Sequence, residues 1–147
     1  MAHSLANEEW VVKILASKQV QQVNDMAEQA RDALTRYVGY EVTYDATSAQ
    51  LLDEWVDRHV RQFDDPSGKM KLLWASFLGE MFCRHHGGQW ILQEKGRGGG
   101  LGVMCPTRRG GQHVIDVSGQ VDRRVADGMA ASLAYFYAMT AVVLKAE

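Results

Sequence analysis

From Val20 onward, apolar residues recur at alternating steps of three and four, at Val20, Val23, Ala27, Ala30, Leu34 and Tyr37. That spacing puts them on one stripe of an α-helix, and Gly39 then supplies a stop. Upstream, Asn7 suits a helix N-cap, with Glu8 and Glu9 at the positive end of the helix dipole. Trp10 to Leu15 form a denser apolar block in a different register, so the first helix is expected to kink or restart near Ser17. "YEVTY", residues 40–44, reads as a short strand or extended connector. Thr47 and Gln50 have capping-box spacing, and Leu51, Leu52, Trp55, Val56, His59 and Val60 give a second helix its buried stripe. Asp65 followed by Pro66 reads as the N-cap and first position of a third helix that runs to about His86. Leu73, Trp74, Phe77, Leu78, Met81 and Phe82 form its large apolar face. Leu72, Ala75, Ser76, Gly79 and Cys83 form a strip of small residues that another element can approach closely.

Beyond Gly87 and Gly88 the period shortens. "QWILQE", "LGVMC" and "QHVIDV" are three short runs separated by glycine-rich segments, the pattern of an antiparallel meander. Ser118 then stands where it could cap a long last helix with the stripe Val121, Val125, Met129, Leu133, Phe136, Thr140 and Val143. The expected fold is a single α+β domain over residues 1–147. Its helical N-terminal half covers about 1–66, and helix, three-stranded antiparallel meander and long C-terminal helix fill about 67–147.

The stretch "EKGRGGGLG", Glu94 to Gly102, tests for phosphate binding. The spacing of Gly96, Gly98 and Leu101 breaks the dinucleotide fingerprint at its last position, and no Walker sequence is present. The loop leads into a strand, so no helix dipole converges on it, and a turn is expected. Arg97 is kept as a ligand-binding candidate in case the loop orders over a ligand. Two Arg-Gly-Gly tripeptides, at Arg97 and Arg109, are too few to suggest an RNA-binding tail.

Composition changes this picture little. The chain of 147 residues is 46% hydrophobic and 23% charged, ordinary values for a globular domain. Its net charge of −2 divides unevenly: residues 1–75 carry 8 basic and 12 acidic side chains, and residues 76–147 carry 8 and 6. That mild basic bias falls well short of a nucleic-acid-binding domain. The N-terminus has no basic flank followed by an apolar run, so a cytoplasmic location is expected. Met129 to Leu144 is apolar nearly all round, but its 16 residues are fewer than the ~20 that span a bilayer, so a buried core helix is the better reading.

Candidate chemistry is sparse. Cys83 and His86, with Cys105 and His113, could make up a zinc set, but their spacing defines none, and buried free thiols are expected with no metal or cofactor. "DVSGQ" lacks the first glycine of a nucleophile elbow, which leaves Ser118 as a cap. A thiol and a histidine could form a nucleophile and base only if the fold brought them together. Glu80 and Arg84 have ion-pair spacing, and Glu80 lies among apolar residues. Arg123 and Arg124, at the start of the last helix, are cations at the unfavourable end of a dipole and call for a carboxylate or an anionic ligand.

At "WASFLGEMFCRHHGGQWIL" and "VIDVSGQVDRRVADGMAASLAYFY" the chain resembles a group of small bacterial domains of unknown function. These have a helix ending in Gly-Gly-x-Trp, a short meander, and a final helix with a basic pair and a glycine before an aromatic run. The likeness covers roughly residues 70–140, where Leu78, Gly79, Glu80, Gly88, Trp90 and Arg124 match. It implies the layout above and a bacterial, intracellular setting, and it transfers no catalytic residue.

The expectation is a non-enzymatic protein-interaction domain, adaptor or immunity-type. It would be a homodimer through the apolar surface of its first and last helices, with neither nucleic acid nor membrane as partner. The alternative is a small-molecule-binding or enzymatic domain. Its pocket would lie between the meander and the third and last helices, lined by Glu80, His86, Trp90 and Arg124.

Overall fold

The computed structural model describes residues 11–95 and 98–147. Within them the chain is α+β, in the order β1 (Val11–Ile14), α1 (Ser17–Val38), α2 (Ala46–Gln62), α3 (Gly68–His86), β2 (Gln89–Lys95), β3 (Gly98–Pro106), β4 (Gln112–Ile115), α4 (Val117–Asp127), a 3-10 turn (Gly128–Ala131) and α5 (Leu133–Ala146). The Asn7 cap and the Arg97 candidate both lie outside the described residues.

The strands form one antiparallel sheet in the order β1-β2-β3-β4. The expected meander is present, extended by a fourth strand. Val11 to Ile14, read from sequence as part of a helical block, pair with β2 from Val11 opposite Glu94 to Ile14 opposite Ile91. Three β-branched residues in four suit an extended edge, but the partner that makes it a strand lies some eighty residues away and leaves no local trace. The helix starts at Ser17, where a kink or restart was expected, and Gln19 Oε1 accepts from the Ala16 N–H at 2.9 Å. Its stripe buries Val23, Ala27, Ala30 and Leu34, and Gly39 ends it at φ +82.

Two caps differ from expectation. Asp45, and not Thr47, caps α2, accepting from the Ser48 N–H at 2.9 Å. Ser67 displaces Asp65 as the cap of α3, accepting from the Met70 N–H at 3.1 Å. In both cases a capping side chain one turn ahead of the apolar stripe wins over a neighbour with the same chemistry.

α3 is the central element, with every residue from Trp74 to Phe82 buried. Its small-residue strip works as foreseen. A Cβ added at Gly79 would stand 2.1 Å from Cη2 of Trp90, so the indole of β2 lies against the bare backbone of the helix. Trp90, Val103, Cys105 and Ile115 from the sheet join Phe77, Leu78, Met81 and Phe82 in the core.

The long last helix is broken in two. α4 ends at Asp127, Gly128 adopts φ 69 and ψ −145, and α5 leaves at 98° to α4. The stripe drawn for one continuous helix therefore shifts. Leu133, Tyr137, Thr140 and Leu144 are buried, and Met129 is exposed. No single helix among the described residues is long and apolar enough to cross a membrane.

Candidate functional site

The corner between α4 and α5 is built on a buried charge pair. Arg124 is 2% exposed, and its Nε donates to Asp53 Oδ1 of α2 at 2.7 Å. Its Nη2 reaches the Asp53 carbonyl at 3.1 Å and Asp57 Oδ1 at 2.6 Å. Asp53 also serves as a cap from another helix, taking the Leu133 N–H at 2.8 Å and the Ala134 N–H at 2.9 Å. Ser132, the N-cap of α5, accepts from the Tyr135 N–H at 3.1 Å and donates to Asp53 Oδ2 at 2.9 Å. The open N–H groups of the α5 first turn are thus satisfied by two side chains, one of which also neutralises a buried guanidinium. Arg124 found the carboxylate it needed. It also stands in the last turn of a helix that ends at Asp127, the favourable end for a cation. The sequence signal for Asp53 was a carboxylate set between Leu52 and Val56 on a buried stripe.

The other predicted residues go to separate places. Trp90 is core, 3% exposed. Glu80 is buried and accepts from Arg84 Nε at 3.0 Å through Oε1, while Oε2 has no hydrogen-bond partner among the described residues. Arg84 continues outward over the Tyr44 ring, 4.3 Å from its centroid, and the Tyr44 hydroxyl donates to Glu28. His86 lines a cavity of about 470 Å³ with Pro106, Thr107, Arg108, Leu144 and Lys145, between the end of α3, the β3–β4 turn and the end of α5. Its Nε2 is 3.3 Å from the Tyr137 hydroxyl. Burial, then Lys145 and His85, hold its pKa below the ordinary histidine value. No two of Glu80, His86, Trp90 and Arg124 are hydrogen-bonded to each other among the described residues, and only His86 lines this cavity.

Both thiols are held in the protonated form. Burial pushes the Cys83 thiol up to about 12 and that of Cys105 up to about 11, so neither is a thiolate at neutral pH. No group of three or more metal-ligating side chains occurs among the described residues. Ser118 is not the cap of α4. Asp116 caps α4, accepting from the Gly119 N–H at 2.9 Å, and Ser118 Oγ accepts from the Leu101 N–H at 2.9 Å. That bond answers the glycine-rich stretch. β4 is too short to pair the first half of β3, so Ser118 takes up a free strand N–H. It comes so close that a Cβ at Gly100 would meet its own Cβ at 2.9 Å. Gly98 to Gly102 belong to β3, and in their described part they permit close approach of neighbours.

One face of α5 is exposed, as are Val11, Ile14, Tyr37, Tyr40 and Phe63 elsewhere in the fold. Tyr135 is 67% exposed, Met139 45% and Val142 59%, and Met129, just before the helix, is 57% exposed. From Gly128 to Leu144 there is no charged residue. The helix is apolar on the side that packs and on the side that does not. Beside its N-terminus a second cavity, about 360 Å³, is lined by Gln50, Asp53, Glu54, Asp57, Met129, Ser132 and Ala134.

No family model and no curated protein matches the chain. The fold is similar to that in a 1.50 Å crystal structure of a protein from Bacteroides thetaiotaomicron VPI-5482, with a TM-score of 0.67 and 11% sequence identity. The match covers 89% of this chain and 47% of the other, so this chain spans about half the length of the protein it resembles. At that identity the likeness concerns the fold alone.

Proposed function

We propose that the chain is a non-enzymatic protein-interaction domain, of adaptor or immunity type, and that the exposed face of α5 is its contact surface. The observation that carries this reading is the uncharged apolar face of Tyr135, Met139 and Val142, left open on a helix whose other side already serves the core. Singly exposed apolar residues are ordinary, but a contiguous row over two helical turns is the mark of an interface. The α5 helix is also held stiffly for such a role. Asp53 and Ser132 fix its first turn, and the Leu144 and Glu147 carbonyls at its far end accept from the Arg108 and Arg109 N–H groups. The reading places the protein inside a bacterial cell.

Native mass spectrometry and sedimentation of the protein isolated from its source cells test it, with Met139→Lys as the variant. The wild type is expected in a complex, with itself or with another protein. The variant, which places a charge on the open face and leaves the core untouched, is expected alone and equally well folded by far-UV circular dichroism. A wild type that is monomeric and retains no protein overturns the reading.

A further inference from the structure

We propose that the occupant of the α5 face is a second copy of the same chain, with the two α5 helices antiparallel about a two-fold axis between Ala138 and Met139. In this arrangement Lys145 of each copy reaches the Glu54 and Asp57 cavity of the other. The proposal rests on the reading of α5 as a contact surface and adds the partner and the register.

Self-complementarity is the first argument. The exposed row is bounded by Tyr135 and Val142. An antiparallel alignment centred between Ala138 and Met139 sets Tyr135 opposite Val142 and Ala138 opposite Met139, a large side chain against a smaller one each time. With no charge from Gly128 to Leu144, the two faces meet without repulsion.

Charge supplies the second argument and selects the direction. The first charged residue after this row is Lys145, at the C-terminal end of α5. The acids flanking the helix, Glu54 and Asp57 on α2, stand at its N-terminal end, around the cavity that Ala134 also lines. Ala134 and Lys145 are eleven residues apart, close to three whole turns at about 3.6 residues per turn, so they share a flank of the helix. A two-fold axis perpendicular to the helices keeps that flank on the same side and exchanges the ends. Lys145 of the second copy therefore comes level with Ser132, on the side where Glu54 and Asp57 lie. Arg124 already binds Asp57, while Glu54 forms no ion pair or side-chain hydrogen bond among the described residues. An attached lysine would face a partly positive helix end, about half a charge, but the two carboxylates outweigh it. A parallel pair would put Lys145 beside Lys145 and leave Glu54 unanswered.

One helix per copy makes a small interface, below about 1,200 Å² in total, so a micromolar dimer is expected. Sedimentation equilibrium of charge-reversal variants tests the register, because both altered residues are exposed. Glu54→Lys alone and Lys145→Glu alone should each weaken the dimer roughly tenfold at low salt, since each turns two attractions into repulsions. An equal mixture of the two variants should recover wild-type affinity, because the mixed dimer has both contacts restored, and the difference should fade in 1 M salt. Dimers that dissociate with Met139→Lys but ignore the charge reversals would overturn this register and leave the contact surface standing. A monomeric wild type that retains a different protein would overturn the second copy as occupant and again leave the surface.

Discussion

Asp53 shows how one side chain can tie two elements together. Its carboxylate accepts from Arg124, Ser132, Leu133 and Ala134, so it offsets a buried charge and caps a helix from outside. Replacing it by alanine would leave Arg124 with only the partly exposed Asp57 for a counter-charge and two α5 N–H groups open. Asp53→Ala is expected to lower the unfolding free energy by about 3–5 kcal/mol, measured by urea denaturation. Sequence spacing marked Arg124 as a cation in need of a carboxylate but could not identify the partner. Seventy-one residues separate the two, and nothing in either local segment encodes the meeting. Glu80 was the reverse case. Its i,i+4 partner Arg84 was legible because a helix brings those positions together whatever the rest of the fold does.

At the scale of elements, periodicity located the first three helix cores and all three strands of the meander, and it failed where two elements share one apolar run. Residues 117–146 keep a stripe that a single helix could use, yet the chain breaks at Gly128 and turns through 98°. The break is encoded in backbone conformation: φ 69 with ψ −145 is open to glycine and strained for any other residue. A Cβ at this position would have open space, so the whole cost of a side chain is conformational. Gly128→Ala is expected to destabilise the protein by about 1–3 kcal/mol in thermal unfolding. A continuous helix would instead gain about 0.5–1 kcal/mol from the same change, so the sign of the shift in Tm decides between them. Val11 to Ile14 failed for a different reason: an edge strand of four residues is defined by the strand it pairs with.

For the whole molecule, the groups shifted on the acid side of neutrality, His86, Glu28 and Asp45, act in one direction. His86 has a folded pKa below its ordinary 6.5, because of burial and the nearby Lys145 and His85. As pH falls through 6.5 the unfolded chain takes up this proton first, so stability declines until the folded value is passed. Glu28 is held below 4.5 chiefly by the Tyr44 hydroxyl, with Arg31 assisting, and Asp45 below 3.8 by the Thr43 hydroxyl and Ser48. Both keep their contribution above those unfolded values and lose it as pH falls through the folded ones. The expected profile of Tm is therefore a decline in two stages, beginning near pH 6.5 and again near pH 4.5. His86→Gln should remove the first and keep the second, as thermal melts from pH 8 to pH 3 would show. The sequence by itself determined the α+β class, the helix stripes, the meander, and the small-residue strip on which Trp90 came to rest. Each of these depends on spacing of a few residues, which the backbone converts directly into a face or a ladder. Only the tertiary structure decided the fourth strand, the corner at Gly128, the Asp53–Arg124 pair and the open face of α5. Each of those depends on what a distant segment covers, pairs with or leaves exposed.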